Sequence, residues 1–414
     1  MNALRQLEQA VLAEGREWTR RRLEEKLQAE ASAMEPLCPQ TGQRLQETRW
    51  RDLHLDTVAG AVKLRVRHGY STALERWLCP VREAWGLAAD QRVSPEFQAR
   101  LAYTAIEVGS YEGAARMAQT WGSPASDGRI HGHAQSLGAA AQEISLPTPA
   151  PPPREPEFSL VLMLDGWMAR ERGPDWAAPP GRKNPQRIAW HESKSAVIYR
   201  LEQRGETSSG RGLLVEKFVV ATPPETSPLD FGAAVQAEAR RRGLGRAQVV
   251  YRVMDGAVWL WDLAEDRFAN GLKTLDFHHA RDHLWAIAHT LHGEGTPEAQ
   301  AWVRPLLQDL RHGKEAHVVQ RLATLLETKT QHPAATQTVM EREVNYFQTH
   351  RDHLHYQAMA EAGAPRGSGA VESLGKQLQR RLRGCGQIWS RPGLTHLLRL
   401  CVLFKNHDDS LLWN

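Results

Sequence analysis

The stretch SLVLMLDG, Ser159 to Gly166, runs through five apolar residues and stops on an aspartate followed by glycine. It reads as a β-strand whose carboxyl end presents Asp165, and open α/β sheets keep their sites at that edge. Further strands are expected at KSAVIYRLEQ (194–203) and GLLVEKFVVAT (212–222), then a helix at DFGAAVQAEARRRGL (230–244). Strands at AQVVYRVMDGA (247–257) and LKTLDFHH (272–279) follow, and helices run from there to the end.

Three strands, a helix, two more strands and then helices is the succession of an RNase H-like α/β fold. Asp255 ends its strand as Asp165 does, and each is followed by glycine, which lets the chain turn away and leaves the carboxylate at the sheet edge. Asp-Gly is also ordinary turn chemistry, so a single instance says little. Two at matching places say more.

A third carboxylate lies in GSGAVESL, Gly367 to Leu374, ahead of the basic run GKQLQRRLRGC. Val371, Leu374, Leu378 and Leu382 form an apolar stripe at helical spacing, which sets Glu372 at the border of the buried face. Glu372 falls four residues after Ser368, one too many for a capping box. Asp165, Asp255 and Glu372 offer oxygen ligands only, a set suited to Mg²⁺ or Mn²⁺ and not to zinc. Lys376, Arg380 and Arg383 line one side of the same helix and would meet a DNA backbone. No GxxxxGK[ST] loop and no GxGxxG after a strand is present, so no nucleotide cofactor is expected.

The chain of 414 residues is 41% hydrophobic, carries a formal charge of +4 and is long enough for two or three domains. The mild basicity permits a polyanionic partner without requiring one. Positive charge gathers at Arg20–Arg22, Arg240–Arg242 and the RRLR segment at 380–383, although such runs are most often solvated faces. Four scattered cysteines and the lack of an apolar leader or span suit a cytoplasmic protein with reduced thiols.

Four regions are expected. Residues 1–90 hold an amphipathic first helix, with Leu4, Leu7, Val11, Trp18 and Leu27, and a small β unit between Cys38 and Cys79. Residues 91–145 are helical, and Tyr111–Thr120, a turn containing Gly122 and a helix from Ser126 form a helix-turn-helix-like pattern, with Arg129 a candidate DNA contact. Two packed helices with no nucleic-acid role fit the pattern as well. Residues 146–157, proline-rich LPTPAPPPREP and its neighbour, form an extended linker. Residues 158–414 form the catalytic domain, with a helical insertion at about 285–365.

The order of DG after the first strand, WHExK at Trp190–Lys194, VMDGAVWLW at 253–261, LDFHHARDHL at 275–284 and GSGAVES with its basic helix and Trp389 resembles the DDE transposases of bacterial insertion sequences of the ISKra type, relatives of the ISLre and Mutator-like groups. The resemblance covers most of the chain. It implies that Asp165, Asp255 and Glu372 are the catalytic triad and metal ligands, that the partner is double-stranded DNA at transposon ends and target, and that the protein is a homo-oligomer, with the first helix a candidate contact. The enzyme would cleave DNA and transfer strands with Mg²⁺, be nucleoid-associated when bound to DNA, and have no membrane partner. A DNA-binding derivative without cleavage and an RNase H-like nuclease without strand transfer are the alternatives. Where the family has two CxxC-like knuckles this chain has single cysteines, so structural zinc is not expected.

Lys194 and Trp190 could touch DNA near the cleft or simply pack, and Trp259 and Trp261 could be base platforms or core. Asp276 and His279 form a D-x-x-H pair of a kind that related transposases carry, and His283 lies one helical turn beyond His279, a spacing that can bind metal. Hydrogen-bonded core histidines account for the same residues.

Overall fold

A computed structural model describes residues 2–152, 154–177, 186–210, 212–268 and 271–413. The protein is mixed α/β and divides into two compact units, Met1–Ile144 with Asp409–Asn414, and Ser145–Asp408. Among the described residues no helix is long and apolar enough to cross a membrane.

The first unit opens with helix α1 (Ala3–Ala33), followed by strands β1 (Gln46–Thr57), β2 (Gly60–Ser71) and β3 (Arg76–Leu78) in an antiparallel sheet of that order. Leu53 and Leu55 of β1 and Val62, Leu64 and Val66 of β2 alternate inward and bury one sheet face. Gly60 closes the hairpin opposite Thr57 with φ +117°, a backbone region that side chains disfavour. The free edge of β2 is covered by α1 side chains. Glu24 accepts from the Lys63 amide at 2.9 Å, while Gln28 accepts from the Arg65 amide and donates to its carbonyl at 2.8 and 3.0 Å. They stand in for a neighbouring strand, which keeps that edge from pairing with another chain.

Helices α2 (Pro80–Ala84), α3 (Pro95–Glu107), α4 (Tyr111–Thr120) and α5 (Asp127–Glu143) complete the unit, the last three packing on one another. Ser94, Ser110 and Ser126 each cap the helix they precede. The basic run of the first helix is neutralised within the helix, since Arg20 and Arg21 pair with Glu17, Arg20 also with Glu24, and Arg22 with Glu25. The charge that gathers there in the sequence is thus balanced by carboxylates of the same helix.

The second unit is built on strands β4 (Leu160–Arg172), β5 (Ile188–Arg200), β8 (Phe218–Thr222), β9 (Val250–Met254) and β10 (Lys273–Leu275), with a small hairpin of β6 (Arg204–Glu206) and β7 (Gly212–Leu214) beside them. The five-stranded sheet has the order β10-β9-β4-β5-β8. β4, β5 and β8 pair antiparallel in turn, whereas β9 runs parallel to β4 and β10 parallel to β9. Several stretches differ from the sequence reading; β5 begins at Ile188, ahead of the expected Lys194, and β9 spans only Val250–Met254. GLLVEKFVVAT breaks into β7 and β8, LKTLDFHH is a strand only to Leu275, and β4 continues seven residues past Asp165 to Arg172.

Helices α6 (Pro228–Arg241), α7 (Val258–Arg267), α8 (Phe277–His292), α9 (Pro297–Arg311), α10 (Glu315–Glu327), α11 (Ala334–Thr349), α12 (Tyr356–Glu361), α13 (Gly369–Leu382) and α14 (Arg391–Lys405) complete this unit, α8 to α11 packing on one another. Leu160, Leu162 and Leu164 join one core with Phe231 and Val235 of α6 and Leu260 of α7. The opposite face of β4 and β5 carries α13. Asn406 accepts from the Val219 amide at 2.7 Å and donates to its carbonyl at 2.9 Å, closing the outer edge of β8. The proline-rich segment lies extended and tied down, because Pro147 accepts from Arg241 and Glu155 pairs with Arg200 and Arg246. Two of the three arginines at 240–242 are likewise structural: Arg241 and Arg242 are held by Glu238 and Asp408, whereas Arg240 is exposed.

Candidate active site

The parallel ladder between β4 and β9 ends with Leu164 opposite Met254. The next residues are Asp165 and Asp255, so two carboxylates leave adjacent strands side by side. Strand alternation turns Asp165 away from the Leu160, Leu162 and Leu164 core and toward the face that α13 covers.

The chain turns away after Asp255 as the sequence suggests but runs straight on after Asp165, and neither following glycine has a positive φ. Gly166 stays within β4, and a side chain there would collide with the Glu192 carboxylate at 2.3 Å. At Gly256 a side chain would meet the Tyr346 ring at 2.3 Å. Both glycines make room for a neighbour. The Asp255 turn is held from three sides: its carboxylate accepts from the Ala257 amide, its carbonyl accepts from the Trp261 indole, each at 2.9 Å, and Tyr346 covers Gly256. Trp261 also stacks on His353 at 3.8 Å, and Trp259 packs edge-on to Phe231, so both tryptophans are core and not base platforms.

Glu372 stands in the first turn of α13, where Val371, Leu374, Leu378 and Leu382 are buried as the stripe predicts. Ser368 precedes the helix without capping it, and its hydroxyl donates to the Glu372 carboxylate at 3.1 Å. Asp276 fixes the start of this helix. One of its oxygens accepts from the Ser368 amide and the other from the His279 amide at 2.8 Å, which caps α8 at the same time. The Phe277 amide donates to the Arg366 carbonyl at 2.9 Å beside this clamp. Gly367 allows the approach, for a side chain there would stand 3.1 Å from His278, whereas Gly369 faces open space.

The electrostatics tie these groups together. Burial, then the charge of Asp255 and more weakly that of Glu372, push the Asp165 carboxyl up to about 7. The His279 ring, 3.3 Å from Asp276, is raised to about 9 by that carboxylate against the effect of burial, with Asp255 and Glu372 adding to the shift. Burial opposes ionisation of Asp276, yet the His279 ring and the Ser368 and His279 amides hold it well below the usual carboxylate range. An imidazolium thus stands in the field of four carboxylates.

Asp165, Asp255 and Glu372 have the oxygen donors a hard divalent ion takes, and the mutual repulsion recorded in Asp165 is what such an ion relieves. Among the described residues, however, no three His, Cys, Asp or Glu side chains are gathered into a group that could hold a metal. Asp255 keeps one oxygen on its own turn, and the positive charge of the cluster is His279.

The remaining sequence candidates divide. Lys376, Arg380 and Arg383 are exposed on one side of α13, Lys376 3.7 Å from Glu372 and Arg383 stacked 4.7 Å from the Trp190 ring. Lys194 is not available to DNA, being 6% exposed with its ammonium donating to the Thr226 carbonyl at 2.9 Å and facing Trp259. Arg129 is ion-paired to Asp56 and holds α5 to β1. His283 does not share a ligand with His279; it pairs with buried Glu343 and stacks on Tyr346 at 3.6 Å. The sequence reading missed the Ser368 clamp and Tyr346, which no local pattern marks. No protein-family model and no curated protein sequence matches this chain.

Proposed function

We propose that the second unit is an RNase H-like catalytic domain and that the protein is a DNA transposase of the DDE type. The observation that carries this reading is the pairing of Leu164 with Met254, from which Asp165 and Asp255 emerge together on the face where α13 presents Glu372. The sheet order supports the fold assignment. A three-stranded antiparallel meander, extended on the free side of its first strand by two parallel strands, is the RNase H-like arrangement.

Mg²⁺ or Mn²⁺, held by Asp165, Asp255 and Glu372, would supply charge neutralisation at a scissile phosphate and an activated water or 3′-hydroxyl. The chain's own residues do the positioning. Asp276 anchors the helix that bears Glu372, Trp261 and Tyr346 brace the Asp255 turn, and Lys376, Arg380 and Arg383 offer an exposed basic row for DNA phosphate. In the first unit, the α4–turn–α5 pair with its Ser126-capped second helix supports a role in holding transposon ends.

The test is nicking of supercoiled DNA by the full chain in Mg²⁺. Asp165→Ala, Asp255→Ala and Glu372→Ala should each lower it on the order of 100-fold or more. Equal nicking by Asp255→Ala would sink the assignment. Joining of pre-cut ends separates a transposase from a nuclease, which gives no joined product. A second reading, a DNA-binding derivative that has lost cleavage, is favoured by one observation: the carboxylates are not gathered into a metal-holding group, and His279 supplies their positive charge. Absence of nicking with intact DNA binding would select it.

A further inference from the structure

Between Arg44 and Arg82 the β unit carries eight Lys and Arg against four Asp and Glu, a surplus equal to the formal +4 of the whole chain. Helix α1 carries six of each. The β unit is therefore a basic part of the chain, where the sequence reading sought only a degenerate metal knuckle.

The geometry of this surplus is ordered. Lys63, Arg65 and Arg67 occupy every second position of β2 and share its solvent face, opposite the buried Val62, Leu64 and Val66. Successive members lie about 6.7 Å apart along the strand, comparable to the step between phosphates of one DNA strand. Arg67 is paired in register with Trp50 and lies 4.9 Å over its ring; around the sheet end, Arg49 lies 4.8 Å over Trp77. Trp50 and Trp77 are 43% and 41% exposed, so these stacks are surface features and not core. Arg67 has no carboxylate partner among the described residues, whereas Arg51, in register with buried Val66, belongs to the other face. Asp52 offsets part of the row, held 2.8 Å from Lys63.

A guanidinium laid on an indole keeps its N–H edge free and is already immobilised, which lowers the entropy cost when it grips an oxyanion. The same stacking covers the aromatic faces, so these tryptophans are poor platforms for the splayed bases of a single strand. A two-stranded ribbon also has the width that a duplex groove admits. We propose that the outer surface of the β1–β2 ribbon, through Lys63, Arg65 and Arg67, binds the phosphate backbone of duplex DNA without reading its sequence. The surface belongs to the first unit alone and acts whether or not the second unit cleaves DNA.

The experiment is fluorescence anisotropy of the full chain with a labelled, short, random-sequence duplex over a range of salt concentrations. Arg65→Ala/Arg67→Ala should flatten the slope of log affinity against log salt by about 2, near 0.9 for each phosphate the pair no longer neutralises, and weaken binding to unrelated duplexes alike. Arg65→Lys/Arg67→Lys should keep the wild-type slope, and Arg304→Ala, which removes an exposed charge from the other unit, should leave it unchanged. A wild-type slope in the Ala pair overturns the proposal. So does a Lys pair as weak as the Ala pair, or preference for the single strand over the duplex. Nicking by Asp255→Ala tests cleavage and the salt slope of the Arg65/Arg67 pair tests this surface, so the two ideas fail separately.

Discussion

Replacing Asp165 by Asn should stabilise the metal-free protein, and by an amount that grows with pH. The carboxyl is raised from 3.8 to about 7 by burial and by the charge of Asp255. A carboxyl raised on folding contributes stability that is fully present below its unfolded pKa and lost as pH climbs through the folded one. The window here is pH 4 to 7. A shift of roughly 3 units at about 1.4 kcal/mol each gives a ceiling of about 4 kcal/mol, lost by the wild type across that window and retained by the variant, whose amide keeps the shape without the charge. For a unit of this size that corresponds to roughly 8 °C in melting temperature at most. The assay is thermal denaturation in chelator between pH 4.5 and 8.5, read as variant minus wild type. A difference that is flat with pH, or an Asn variant less stable at pH 8, would refute the argument. Mg²⁺ added at pH 8 should raise the wild-type midpoint and leave the variant's unmoved.

Asp276→Asn should cost about 1–3 kcal/mol in denaturant unfolding, because the amide must serve the Ser368 and His279 N–H groups with a single acceptor oxygen, and nicking should fall with it; a variant with full stability and activity would remove Asp276 as the anchor of α13. Gly256→Ala should destabilise by roughly 1–3 kcal/mol through collision with the Tyr346 ring, and the penalty should largely vanish in a Tyr346→Ala background, measured as a double-mutant cycle. Asn406→Asp loses the donor that meets the Val219 carbonyl and sets an anion beside it, so it should cost about 1–3 kcal/mol in the same unfolding assay, while a neutral effect would show that the β8 edge needs no clamp.

Elements with a single strong period are legible in the sequence. The apolar runs at 159–166 and 247–257 and the stripe from Val371 to Leu382 are strands and a helix where periodicity places them, because burial of one face dominates the local choice. The interruption inside GLLVEKFVVAT is not legible, since Glu216 and Lys217 sit within a run whose propensity reads as continuous. Phe277–His279 fails for another reason: Asp276 is a helix cap, and a cap looks like any strand-end aspartate until the helix behind it is recognised. The charge runs mislead most. Arginines near one another in sequence imply a basic face, whereas Glu17, Glu24, Glu25, Glu238 and Asp408 neutralise them from a helical turn or from far along the chain.

The same distinction applies to the aspartates. The sequence makes Asp165 the last residue of its strand, yet β4 runs on and keeps its antiparallel partner β5 to Arg172. What ends at Leu164 is the parallel ladder with β9, and it ends because β9 stops at Met254, where Asp255 folds its carboxylate back onto the Ala257 amide. The opening in the sheet is thus made by the shorter strand. Asp165 is exposed to that opening by its neighbour's departure, on a backbone that stays rigid because its other edge remains paired. A carboxylate held on a continuous strand cannot escape by moving its backbone aside, so burial first and the charge of Asp255 second appear as the raised protonation range of Asp165. No reading of residues 159–166 alone could separate the end of a strand from the end of its pairing, because that difference is written in residues 250–257.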